Sequence, residues 1–184
     1  MTDLNAYFAC LEGHGLKRTD HVLLASLGEK ILHHWQGDTC ISSYPISFSK
    51  RPLSCQEGSL GTPWGLHVIA AKHGQDSPPG MVFKGRVATG ERWQDMAPDT
   101  EDRSLVTTRI LRLKGLEPGL NKGPGMDSFD RYIYIHGTNH PERFPDNISA
   151  GCILMLDEPL MELFERVPEG SHVFISPPET GPPS

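Results

Sequence analysis

The stretch YIYIHGTNHPERFPDNISAGCILML, residues 132–156, ends one apolar run in a histidine, His136. Sixteen residues later it sets a cysteine, Cys152, between Gly151 and a second apolar run. A thiol and an imidazole are the parts of a nucleophilic catalyst: the sulfur attacks a carbonyl, the ring takes its proton, and backbone N–H groups hold the oxyanion. Ser149, Ala150 and Gly151 are small, so a substrate can approach Cys152 from that side, and Gly151 lets the backbone turn. A histidine at a strand end, followed by Gly137, can be held as a base that titrates near neutral pH. A helix after Cys152 would bring its N-terminal dipole to the thiolate and lower a thiol pKa of about 8.5.

Two other readings compete. Free cysteine is commonly a small buried hydrophobe, and Cys10, Cys40 and Cys55 are assigned that inert role. A metal could use His136, His140 and Cys152, but the Gly and Pro of HGTNHP keep the histidines off a common helical face. No H-E-x-x-H occurs either, so no metal and no cofactor is assigned. His33 and His34 adjoin in a strand and point to opposite faces.

The elements that must position these residues are mostly strands. Residues 21–27, 31–36 and 40–47 read as a meander with turns at GEK and GDT. GTPWGLHVIAAKHG makes a corner and a strand with Leu66, Val68 and Ala70 on one face; MVFKGRVATG follows a Pro-Pro-Gly break. Residues 92–104 read as a polar loop, LVTTRILRL as a strand, NKGPGMDSFD as a loop and RYIYIHG as a strand. DEPLMELFERV is the one principal helix, with acids in its first turn and Leu160, Leu163, Phe164 and Val167 at helical spacing. SHVFIS is a closing strand, and PPETGPPS reads as a disordered tail. The sum is a mainly β, single-domain protein: an N-terminal segment 1–20, a domain 21–176 and a tail 177–184.

With 184 residues and a net charge of −6, the chain suits one acidic globular domain. No basic run offers a nucleic-acid face, and no apolar window approaches a membrane span. The first twenty residues lack the basic start and unbroken apolar segment of a secretory signal, so a cytoplasmic location is expected. Four cysteines without paired spacing are expected as free thiols. Oligomeric state is left open.

HGTNHP and, at the matching spacing, SAGCILM resemble the YkuD-type L,D-transpeptidase catalytic domain, whose signature runs H-G-T-N-x-P and then S-H-G-C-I-R-M. Upstream, YPISFS and GTPWGLHVI are similar to the family's Y-P-V-S and T-P-x-G-x-F-x-I, and the likeness covers roughly residues 21–176. It implies a β-sandwich or barrel with a helix after the nucleophile. It implies Cys152 as nucleophile, His136 as base, Gly151 and Cys152 N–H groups as oxyanion hole, and Ser149, Gly137 and Thr138 beside the substrate. The substrate class it implies is a muropeptide or peptidoglycan stem peptide, cut after the L-centre of diaminopimelate with loss of D-Ala, through a thioester that carbapenems can also form.

Two positions depart from the pattern: Ala150 replaces the usual His, and Leu154 the usual Arg. An apolar chain does not replace a charged fork, and Arg109 and Arg86 are taken as substitutes, with Arg131 and Arg143 as alternatives. Because crosslinking needs polymer outside the membrane, the reading preferred is a cytoplasmic L,D-carboxypeptidase that trims recycled tetrapeptides. The alternatives are a periplasmic L,D-transpeptidase that crosslinks or exchanges D-amino acids, and an inactive muropeptide-binding module.

Overall fold

The computed structural model describes residues 2–97, 103–146 and 149–178. Among the described residues two α-helices, α1 (Thr2–His14) and α2 (Asp157–Arg166), accompany ten strands. These are β1 (His21–Ser26), β2 (Ile31–Gln36), β3 (Thr39–Pro45), β4 (Gly65–His73), β5 (Met81–Lys84), β6 (Val87–Arg92), β7 (Val106–Gly115), β8 (Tyr134–Gly137), β9 (Ile153–Met155) and β10 (His172–Ser176).

The expected meander forms as antiparallel β1–β2–β3, and β10 returns to lie parallel to β1. From there the sheet runs β10–β4–β7; β5 pairs with the first residues of β7, and residues 107–112 of β7 pair with β8, which pairs in parallel with β9. Beyond β3, Ser47 exchanges both backbone hydrogen bonds with Leu154 of β9 (2.9 and 2.7 Å). That bridge closes a ring of strands. The ring encloses the main core, in which Leu23, Leu32, Ile69, Leu111, Ile135 and Ile153 pack on Leu160, Leu163 and Phe164 of α2. The expected helix is therefore seated by its own 3.6-residue apolar stripe.

The N-terminal segment, to which the sequence analysis assigned no element, is helical. Leu4, Tyr7 and Leu11 recur on one face of α1 and pack with Val22, Leu24, Leu66 and Phe174 on the outside of the sheet. Gly15 ends the helix at φ +63°, with Leu16 N–H donating back to the Leu11 carbonyl. On β4, Leu66 turns toward α1, Ile69 enters the main core from the opposite face, and Val68 and Ala70 are half-buried. MVFKGRVATG is a hairpin rather than one run, with Gly85 and Arg86 both at positive φ in a tight turn. RYIYIHG becomes a strand only at Tyr134, because Tyr132 sits at φ +57°. Of the expected loop, β6 and a short helical turn take residues 92–95, while 98–102 lie outside the described residues, as do 179–184 of the expected tail.

Candidate active site

Strands β8 and β9 bring His136 and Cys152 together. Their parallel register pairs Ile135 with Ile153 and His136 with Leu154, so Cys152 lies level with Tyr134, one step before β9. Tyr134 and His136 share a face by strand alternation. Cys152 and His136 are thus diagonal neighbours on it, a separation a histidine side chain can span. Tyr134 N–H donates to Cys152 Sγ at 3.3 Å, and the thiol donates to the Tyr132 carbonyl at 3.5 Å.

His136 is 3% exposed, and its Nδ1 lies 2.7 Å from the Gly137 carbonyl. A carbonyl only accepts, so Nδ1 carries the proton and Nε2 is left with the lone pair of a base. Gly137 itself has no room for a Cβ, which would meet Thr107 Oγ1 at 2.6 Å. Gly137 is itself still paired, to Thr107 and Met155, so the expected sharp exit does not occur there, and it is the Gly137 carbonyl that orients the ring.

Both groups are neutral at rest. Burial pulls His136 down to about 4, against a smaller upward effect of its bond to Gly137. Burial pushes the Cys152 thiol up to about 11, offset in part by the Tyr134 N–H and the Arg131 charge. This overturns the expectation of a thiol lowered by a helix dipole. Strand β9 intervenes between Cys152 and α2, whose first residue, Asp157, accepts a hydrogen bond from Thr108 instead. Leu154, paired with His136 and fully buried, sets an apolar side chain beside the imidazole.

The nucleophile loop is bound to itself. Ser149 Oγ donates to the Cys152 carbonyl at 2.6 Å and accepts from Gly151 N–H at 3.3 Å. Gly151 holds φ +113°, and a Cβ there would meet the Gly61 carbonyl at 2.9 Å and Ile133 Cδ1 at 3.0 Å. Arg131 fastens the opposing loop: it donates to the Ser54 carbonyl at 2.9 Å and the Gly61 carbonyl at 2.8 Å.

The candidate arginines separate. Arg109 is 4% exposed and donates to the carbonyls of Ser77 and Thr108, with its guanidinium over the Phe164 ring of α2. Its charge braces the core rather than facing Cys152. Arg86, at the hairpin tip, donates to Tyr134 Oη at 3.2 Å and lies beside the site. Arg86 and Arg112 both stack on the Tyr132 ring, 5.5 and 5.4 Å from its centroid. Thr138, buried, accepts from His140 N–H and shapes the turn behind the histidine. Arg143 bears its Nε 3.4 Å from Glu142 in a short helical turn.

Against the nucleophile loop lies a cleft of about 680 Å³, lined by Ser149 and Ala150 and by Lys50, Arg51, Leu60 and Arg103. Ala150, where a histidine is usual in the resembling family, forms part of this wall. The sequence analysis did not find Tyr132, Tyr134, Arg112 or the cationic cleft wall. Alternation through YIYIH would have put Tyr134 on the histidine's face, whereas the cleft joins segments too far apart in sequence to be associated. Of the remaining thiols, Cys55 is buried as expected, Cys10 is only half-buried and Cys40 is exposed, so inert burial does not hold for those two. All four cysteines are free.

The L,D-transpeptidase catalytic domain model, YkuD, matches residues 20–175. "Putative L,D-transpeptidase YqjB" of Bacillus subtilis is 35% identical over 101 residues, 49% of this chain and 57% of that protein. Among solved structures, the L,D-transpeptidase LdtMt1 in complex with imipenem is similar with a TM-score of 0.54 and 16% identity, over 85% of this chain and 59% of that one. An L,D-transpeptidase from Stackebrandtia nassauensis gives 0.53 and 13%, over 88% and 58%. At such identities the structural likeness bears on the fold alone. In each case the chain spans less than two thirds of its relative.

Proposed function

The chain belongs to the YkuD family of L,D-transpeptidase catalytic domains, and on that premise we propose that it is a cysteine L,D-carboxypeptidase acting on peptidoglycan tetrapeptides. The observation that carries the chemistry is His136, its Nδ1–H bound to the Gly137 carbonyl and its position, by the β8–β9 register, one diagonal step from Cys152. With thiol and imidazole both neutral, proton transfer accompanies attack. Nε2 takes the proton as Sγ bonds to the carbonyl carbon at the L-centre of diaminopimelate. The oxyanion is met by the N–H groups of Gly151 and Cys152, the former exchanging its long bond to Ser149 for the stronger charge. Collapse breaks the amide bond, His136 returns the proton to the departing D-Ala amine, and a thioester remains. Water, deprotonated by the same Nε2, then releases the tripeptide and restores the thiol.

The cleft supports water as acceptor. An amine acceptor arrives as an ammonium ion, and Lys50 and Arg51 repel it at the wall that Ser149 and Ala150 share. Arg86 and Arg112, stacked on Tyr132, are the cations proposed for the substrate carboxylates. Recycled muropeptides in the cytoplasm are the proposed setting, which cell fractionation checks. The rival reading, transfer to an amine in the periplasm, draws on the cleft's size.

The test is mass spectrometry of a diaminopimelate tetrapeptide incubated with the protein or its Cys152→Ala variant, with and without excess D-amino acid. Loss of D-Ala in water alone, absent in the variant, is expected. Product formed only with the amine present rejects hydrolysis in favour of transfer, and peptide binding without turnover rejects both. Imipenem, bound by the structurally similar LdtMt1, is expected to add covalently to the wild type and not to Cys152→Ala.

A further inference from the structure

Helix α1 precedes the residues matched to the family, and two of its side chains, Cys10 and His14, stand one turn apart. Both face Glu117, which lies just past the end of β7. The potential ligand atoms of Cys10, His14 and Glu117 all lie within 4.8 Å of one another. His14 Nε2 is 3.2 Å from Glu117 Oε2, while Oε1 accepts from Leu66 N–H. The carboxylate is held by its own turn: Glu117 N–H donates to Asn121 Oδ1 at 3.0 Å, and Asn121 Nδ2 donates to the Trp64 carbonyl at 2.8 Å. A thiol facing a carboxylate is poorly placed to ionise on its own, and burial with the Glu117 charge pushes Cys10 up to about 12. A cation between them reverses that repulsion.

We infer that Cys10, His14 and Glu117 bind one divalent cation of the zinc class and thereby fasten α1 to the catalytic domain. The donor set is one sulfur, one imidazole nitrogen and one carboxylate oxygen, which suits a borderline ion in a four-coordinate site with water in the last place. Helical i, i+4 spacing presents the first two on one face. Glu117 keeps Oε1 on Leu66 N–H as the outer bond that orients it. Binding takes the proton from Cys10, and His14 ligates through Nε2 with its own proton on Nδ1. The two anionic ligands then balance the ion's charge.

The test is titration of the reduced, full-length protein with Co²⁺, whose thiolate complex absorbs in the near ultraviolet. One ion per chain is expected, with a sulfur-to-cobalt band that Zn²⁺ abolishes by displacement. Cys10→Ser is expected to remove the band, His14→Ala to weaken binding at least tenfold, and Cys152→Ala to leave both unchanged. Zn²⁺ should raise the unfolding temperature of the wild type and not of Cys10→Ser. A band that survives in Cys10→Ser, one lost in Cys152→Ala, or no binding at millimolar ion overturns the assignment. None of these readouts depends on peptidase activity.

Discussion

At the scale of the residue, the pairing of Cys152 with His136 is simple in chemistry and unusual in charge. A thiol at about 11 beside an imidazole at about 4 does not form a resting ion pair. Alkylation of Cys152 by iodoacetamide, followed on its own peptide because Cys40 is exposed, should therefore be slow at neutral pH. Its rate should climb roughly tenfold per pH unit well into the alkaline range, since only the thiolate reacts. A plateau reached below pH 8 would contradict the burial argument. Gly151→Ala presses a Cβ onto the Gly61 carbonyl at a backbone angle that side chains avoid. A loss of about 2–3 kcal/mol in stability is expected on urea unfolding, together with loss of turnover. The chemistry proposed for this pair was suggested by HGTNHP and SAGC, where small residues and a strand-end histidine declare themselves locally, and the β8–β9 register places the two on adjoining strands. The pair's charge state was not legible, because Leu154 and the walls that desolvate it meet only in three dimensions.

At the scale of the element, legibility tracked how strongly a segment's own pattern decides its fate. The second helix carries acids in its first turn and buries Leu160, Leu163 and Phe164 at the expected spacing. The first helix has a weaker stripe, because Ala6, Phe8, Ala9 and Cys10 between Leu4, Tyr7 and Leu11 are apolar as well, and it was read only for what it was not. The tip of the β5–β6 hairpin and the turn at Tyr132 rest on positive φ angles at Arg86 and Tyr132, where propensity gives no warning. Tyr7 anchors α1, fully buried and with its hydroxyl 2.9 Å from His172 Nδ1. Tyr7→Ala should cost about 3–5 kcal/mol by denaturant titration. The alkylation profile of Cys152 should stay unchanged in the folded fraction, because α1 packs on the outer face of β1 and β4, away from β8 and β9.

At the scale of the whole molecule, buried histidines set the response to acid, His172 being lowered by burial along with three others. His34, His67 and His136 are each pulled down to about 4, chiefly by burial. Their unfolded counterparts titrate near 6.5. Between those values the unfolded chain binds more protons than the folded one, so stability rises with pH across that window. It is complete above about 6.5 and lost progressively as pH falls toward 4, by up to about 3 kcal/mol per group. Thermal unfolding followed from pH 7 down to pH 4 should show that decline, and a flat midpoint across the range would refute it.

The parallel pairing of β1 with β10 also bears on how the domain is made. The first strand to leave the ribosome waits for the last, because β10 is the strip between β1 and β4. Until it emerges, the meander and the half of the sheet that carries Cys152 share no hydrogen-bonded seam through their middle. Every catalytic residue proposed here is thus translated before the strand that joins the two halves, and the ring around the nucleophile is completed only after β10 has emerged.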